Sequence, residues 1–220
     1  PVVNINWHDA VKWCNARSEK ESLTPCYYTD IGKTVVYRSG LSALDNNWVD
    51  WDADGYRLPQ RAEWLKAYWG GNAGSNFFSW PRSGGNSSNH INGSFGNYND
   101  SYDPWDDNVA NPDFAWETTP VSYYDGSQTP AGVDMANGFG LYDVYGNVSE
   151  WCWDRSFSNW YNEPEAQDDN SKGPNSGLGR TRSSYGRDWN DYHYSYSGDS
   201  NYYSDTTVYT FLGFRTVRSH

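Results

Sequence analysis

At 220 residues with 18% aromatic content, including 13 Trp and 19 Tyr, the chain is long enough for one packed core and too aromatic to be disordered. Its formal net charge of −12 argues against nucleic acid or an anionic membrane as partner, both of which demand clustered Lys and Arg, and favours bound cations. No apolar run approaches the roughly 20 residues of a membrane helix, and Cys14, Cys26 and Cys152 are too few for a disulfide scaffold and lack the spacing of a zinc site.

In chain order, a polar cap precedes Trp7, Val11 and Cys14, which recur at helical spacing, so a helix is expected from about Trp7 to Glu21. Thr34-Val35-Val36-Tyr37 is a short β-prone run. Pro59 fits just before a helix and poorly inside one, so a second helix is expected over Arg61 to Tyr68. From Gly70 to about Thr118 the polar, glycine-rich sequence is too long for an ordinary connection, which implies a functional loop or one held by metal. Val208-Tyr209-Thr210-Phe211 is the last β-prone run, and elsewhere turn residues interrupt every few positions.

Asp143 and Glu150 stand seven positions apart with Gly146 between them, a bend that can turn backbone carbonyls inward. Mixed oxygen donors of this kind suit Ca²⁺, which accepts six to eight oxygens in irregular geometry. The bland alternative is a glycine turn flanked by two solvated acids. The four histidines, His8, His90, His193 and His220, have no i, i+4 spacing and read as loop or surface residues, and no G-x-S-x-G elbow offers a serine nucleophile.

Three blocks, Asn15 to Tyr27, Gly55 to Trp64 and Asn137 to Trp153, followed by Leu212-Gly213-Phe214-Arg215, resemble the sulfatase-modifying, formylglycine-generating-enzyme family. Gln60-Arg61 and Ser149 depart from its usual residues without touching chemistry. The resemblance implies a single α+β domain over residues 1–220 with a C-type-lectin-like fold, two helices, short antiparallel strands and a high loop content. It also places strand-rich sequence ahead of Pro1. By the same resemblance, calcium is held by the side chains of Asp143 and Glu150 and the carbonyls of Gly146 and Val148. A second calcium site falls in the long loop, with Asn89 and Asp103 as the nearest donors.

Family enzymes bind copper and activate oxygen through two cysteines in the closing segment. Counting between Ser184-Tyr185 and Leu212-Gly213-Phe214-Arg215 puts those positions near Arg187 and Tyr192, and no cysteine follows Cys152. Neither residue replaces a thiolate, so no copper and no catalysis are expected. Cys14, Cys26 and Cys152 belong to the non-catalytic blocks, and spacing alone leaves a Cys14–Cys26 bridge open.

The stretch Asn190 to Phe211 mixes Tyr with Ser, Asp, Asn and Thr. That is the composition of binding loops, in which Tyr supplies amphipathic contact area at low rotamer cost and small polar residues adapt. The alternation of Tyr192, Tyr194 and Tyr196 also fits an ordinary solvated strand edge. None of its 22 residues is Lys, Glu, Gln, Trp or Met, so every one can be encoded by a pyrimidine-ending codon. This resembles the variable proteins of diversity-generating retroelements, whose adenine-directed mutation falls on this fold just before the closing motif. The resemblance implies a ligand surface over residues 185–211 made of Tyr185, Arg187, Asp188, Asn190, Asp191, Tyr192, His193, Tyr194, Tyr196, Asp199, Asn201, Tyr202, Tyr203, Asp205 and Tyr209, with Trp189 as fixed scaffold. The expected function is a non-catalytic receptor or display protein, at a cell surface or on a virion, for a protein or cell-surface glycan. The competing readings are a divergent metal-dependent oxidase or transferase and a structural surface protein.

Overall fold

The structure is a computed structural model, and it describes residues 1–69, 97, 114, 117–129, 131–132, 134–144, 146–157, 159–168, 171–175, 178–183 and 202–219. Helix α1 spans Trp7–Lys20. Asn6 starts it through a capping box: its side chain accepts from the Asp9 amide at 3.0 Å, while the Asp9 carboxylate accepts from the Asn6 amide at 3.3 Å. Trp7, His8, Ala10, Val11, Cys14, Asn15 and Ser18 form its buried face. His8, expected on the surface or in a loop, is instead buried in the helix, where its ring meets Trp7 and Tyr37 edge-on and its Nδ1 lies 3.1 Å from the Tyr37 hydroxyl. Asn15 is buried and fully used, donating to the carbonyls of Tyr27 and Tyr37 and accepting from the Tyr27 amide. It thereby fastens the 26–37 excursion to the helix.

Thr34 to Tyr37 forms one side of that excursion as an isolated bridge, Tyr28 to Val36, rather than a full strand. The two-residue strand β1, Tyr56–Arg57, pairs with the C-terminal strand β6, Val217–Arg218. Gly55, just before β1, lies so close to α1 that a Cβ would stand 2.1 Å from the Thr24 carbonyl oxygen and 2.6 Å from Ser18 Oγ. Only glycine permits that approach.

Helix α2 spans Arg61–Trp69, starting after Pro59 as expected. Four strands form the main sheet: β2 (Ser149–Ser156), β3 (Leu178–Ser183), β4 (Tyr202–Tyr203) and β5 (Leu212–Phe214), in the order β4-β3-β2-β5. β2 pairs antiparallel with β3 and parallel with β5. Residues 149–154 are buried without alternation, which requires cover on both faces. The core gathers around this strand. Trp7, Trp151 and Trp153 are almost fully buried, and their indole N–H groups donate to Cys152 O, Ile5 O and Asn46 Oδ1. Trp153 stacks on Tyr27 with ring centroids 5.3 Å apart.

The β-prone run Val208 to Phe211 does not form a strand; pairing begins only at Leu212. The Asp205 and Tyr209 carbonyls just before it are taken by the amides of Trp7 and Asn4, leaving them off any ladder. Among the described residues no helix is long and apolar enough to cross a membrane.

Candidate functional site

The turn leading into β2 is built from backbone conformations that most residues avoid. Asp143, Gly146 and Asn147 have φ of 53°, 83° and 67°. A Cβ at Gly146 would stand 2.7 Å from the Asn97 carbonyl oxygen, which already accepts the Asn147 amide at 2.7 Å. The Asn147 side chain closes the turn by bonding both the amide and the carbonyl of Thr119. Glycine at this bend is therefore set by conformation and by close approach together.

Asp143 and Glu150 leave this turn and line one cavity of about 730 Å³, beside Val148, Phe214 and Arg215. Asp143 Oδ2 accepts the Ser122 amide at 2.8 Å. Glu150 Oε2 accepts the Trp64 indole at 2.6 Å and Arg215 Nε at 2.5 Å. Arg215 Nη2 also donates to the Asp143 carbonyl at 2.8 Å. Burial raises the Asp143 pKa above the ordinary carboxylate value; the Ser122 amide and Arg215 oppose that rise, and the Glu150 charge adds to it. For Arg215 burial disfavours the charge, but Glu150 and then Asp143 outweigh it and raise the pKa.

Among the described residues, Asp143 Oδ1 and Glu150 Oε1 accept no hydrogen bond. Two such carboxylate oxygens, on residues that line one cavity, fit Ca²⁺ in kind. Among the described residues no three His, Cys, Asp or Glu side chains gather, so ligation here would lean on carbonyls. The Gly146 carbonyl also accepts the Val148 amide at 2.9 Å. The pairing of Glu150 with Trp64 and Arg215 escaped the sequence reading. The closing motif that contains Arg215 was visible; its contact with a residue 65 positions earlier was not. Asn89 and Asp103 lie outside the described residues.

Of the closing segment, Tyr202, Tyr203, Asp205 and Tyr209 are described; Tyr185, Arg187, Asp188, Asn190, Asp191, Tyr192, His193, Tyr194, Tyr196, Asp199 and Asn201 lie outside the described residues. Tyr202 and Tyr203 form β4, pairing with Thr181 and Arg180. Tyr203 is half-buried and meets Tyr209 edge-on at 5.0 Å, and Tyr209 stacks on Phe211 at 4.7 Å. Ser204, Thr206, Val208 and Tyr209 are exposed. Asp205 and Thr207 are half-buried, and the Asp205 carboxylate lies 3.7 Å from Arg155 on β2.

The segment is fastened mainly through its main chain. The carbonyls of Asp205, Tyr209 and Phe211 accept the amides of Trp7, Asn4 and Ser149 at 3.1, 3.1 and 2.8 Å. Such bonds do not depend on which side chain each acceptor residue carries.

The three thiols are buried and unbridged. Burial pushes Cys26 up to about 12 and Cys14 well above its ordinary value. Both are held as neutral thiols, poor metal ligands and poor nucleophiles.

The whole chain, residues 1–220, matches the family model described as sulfatase-modifying factor enzyme 1-like domain. It is 36% identical over 170 residues to the chaperone protein LppX of Paenibacillus barcinonensis, covering 75% of this chain and 54% of that one. It is 32% identical over 160 residues to the formylglycine-generating enzyme of Mus musculus, covering 68% and 36% respectively. The chain thus spans about half the length, or less, of these curated relatives.

Among solved structures, Treponema denticola variable protein 1 superposes with a TM-score of 0.64 at 28% identity, over 98% of this chain and 70% of that one. CarF superposes with a TM-score of 0.62 at 24% identity, over 99% and 67%. PvdO from Pseudomonas aeruginosa does so with 0.60 at 21% identity, over 100% and 62%; these last two speak to fold alone. Two helices with short mixed strands and abundant loop agree with the expected C-type-lectin-like architecture.

Proposed function

The chain belongs to the sulfatase-modifying factor enzyme 1-like family, and on that premise we propose that it is a non-catalytic ligand-binding protein whose surface before the closing motif is diversified by a retroelement. The main-chain fastening of residues 205–211 carries this reading: three carbonyl anchors hold the segment in place through bonds that do not depend on the side chain the acceptor residue carries. The likeness to a variable protein and the Tyr-rich composition of 190–211 support it. The enzymatic alternative lacks cysteine after Cys152, and Cys14 and Cys26 are held neutral by burial. The ligand is a protein or a cell-surface glycan, read by exposed Tyr and small polar residues.

Calcium belongs to this reading as a structural ion, held by the side chains of Asp143 and Glu150 and the carbonyls of Gly146 and Val148. It would neutralise two buried carboxylates and stiffen the turn that feeds β2, with Arg215 competing for Glu150.

The deciding experiment sequences the DNA around the gene. A reverse transcriptase with a repeat matching the codons of Arg180 to Arg215 except at adenines is the expected result. Absence of such a repeat, together with stoichiometric copper or iron and oxygen-dependent turnover, would replace the reading with an oxidase.

A further inference from the structure

A cleft of about 600 Å³ opens between α2, the far end of β2 and residues 160–173. Of the closing segment's described residues, 202–211, none lines it. Asp154 and Arg155 are neighbours on β2, and only Asp154 lines the cleft, while Arg155 reaches Asp205 in the closing segment. The cleft and the described part of the closing segment are therefore separate surfaces of one scaffold.

The cleft wall is made of planar polar groups whose charges largely cancel one another. Arg57 presents both terminal nitrogens to the Glu63 carboxylate at 2.6 Å each. Its side chain is only 10% exposed, yet Nε has no hydrogen-bond partner. Nε lies within the wall, so the group's polar face toward the cleft is its pairing with Glu63. Asp154 receives the Arg61 amide on Oδ2 and sets Oδ1 against Gly173, where a Cβ would stand 2.3 Å away. The remaining charges, among them Lys66, Lys172 and Asp52, are of both signs, so no single-sign field remains to select an ion.

Aromatic rings complete the lining. Lys172 Nζ stands 5.1 Å from the centre of Trp51, on a long side chain that can move aside. Trp160 and Tyr161 come from the short 3-10 helix Trp160–Asn162 at the rim. Tyr161 is 43% exposed. Aromatic faces carry negative π density, which attracts the positively polarised C–H face of a sugar ring, while guanidinium, carboxylate and amide groups match its hydroxyls.

We propose that this cleft, with its Arg57–Glu63 pair, its carboxylates and its three aromatic residues, is a second ligand site that takes a neutral saccharide. A volume of about 600 Å³ falls in the ordinary range for small-ligand pockets and suits a short oligosaccharide rather than a polymer chain. A neutral sugar needs both donors and acceptors and no counter-charge, which is what the paired charges leave available.

The test is saturation-transfer NMR on the full chain with cellobiose, lactose, maltotriose and chitotriose as probes, repeated on Trp160→Ala, Lys172→Ala and Tyr209→Ala. At least one sugar is expected to bind the unaltered protein and to weaken tenfold or more in Trp160→Ala. Binding in Tyr209→Ala should be unchanged, and that in Lys172→Ala unchanged or stronger. Circular dichroism of each variant confirms that the fold is retained. The proposal is overturned if none of the four binds, or if binding survives Trp160→Ala and is lost in Tyr209→Ala, which would assign it to the closing segment. Competition by glycyl-glycine at equal strength would also overturn it, in favour of a zwitterionic ligand.

Discussion

The core around β2 and the segment at 202–211, of which only Tyr202 and Tyr203 join the sheet, are held by opposite means. In the core, side chains decide position: three indole N–H groups each find a specific oxygen, and Asn15 spends its whole amide on backbone groups. In 205–211 the main chain decides, through carbonyls accepting from Asn4, Trp7 and Ser149. A scaffold of the first kind resists substitution, whereas a segment of the second kind tolerates it. The contrast explains how one fold can combine a fixed interior with a changeable surface.

The largest effect should come from the interior. Trp153→Ala removes a fully packed indole and orphans Asn46 Oδ1, and is expected to cost about 3–5 kcal/mol in urea unfolding. A loss below 1 kcal/mol would break the contrast at its strong end.

The buried carboxylate of Asp154 offers a subtler test of the same interior. Burial raises its pKa from 3.8 to about 6, and the Arg61 amide only partly offsets this. Because the folded pKa exceeds the unfolded one, the native chain holds a proton that the unfolded chain releases between those values. Stability from this group is therefore greatest below pH 3.8, falls as pH rises to about 6 and is flat above. The total is about 3 kcal/mol.

Glu63 works in the opposite direction at lower pH. Burial would raise it, but Arg57 outweighs burial and lowers it, so its stabilisation is lost as pH falls below 4.5. Asp154→Asn keeps an oxygen for the Arg61 amide and removes the charge. Its unfolding free energy, compared with that of the unaltered chain at pH 4, 5, 6 and 7, should show a relative gain that grows to pH 6 and then levels off. An identical pH profile in both proteins would refute the buried charge.

Calcium sharpens the boundary between the two regions, since the turn at 143–150 leads into β2 beside the closing motif. Millimolar Ca²⁺ is expected to raise the thermal midpoint by several degrees, corresponding to about 1–3 kcal/mol. In Asp143→Asn, which leaves the Glu150 pair with Arg215 intact, that shift should vanish. A shift that persists would place the ion elsewhere.

The smallest effects belong to the segment. Tyr209→Ser and Thr206→Asn should each change stability by less than about 1 kcal/mol. Arg155→Ala, which breaks a 3.7 Å contact to Asp205 with both side chains 19% exposed, should cost no more than about 1 kcal/mol. If Tyr209→Ser destabilised as much as Trp153→Ala, residues 202–211 would be core and not surface.

Much of this architecture was legible before any coordinates. Local chemistry fixed both helices: Asn6 and Asp9 form a capping box, and Pro59 cannot continue a helix, so the expected spans needed only their ends trimmed or extended by one residue. The run from Val208 to Phe211 was misread as strand because β propensity reports a side chain's fit to a pleated surface, not whether the neighbouring strand offers a partner. The oxygen-rich turn was visible as Asp143, Gly146 and Glu150, since its bend and its donors are close in sequence.

The sequence by itself determined what short-range stereochemistry and residue inventory can determine: two helices, an aromatic core, a strained turn with two acids, and no thiol in the closing segment. The tertiary structure decided what depends on distant residues meeting: Arg215 on Glu150, Asp154 as the remote cap of α2, a cleft that gathers Trp51, Asp154 and Trp160, and a closing segment fastened by its carbonyls. Those contacts join residues far apart in the chain, and they arise only when burial brings such residues together and forces every polar group to find a partner.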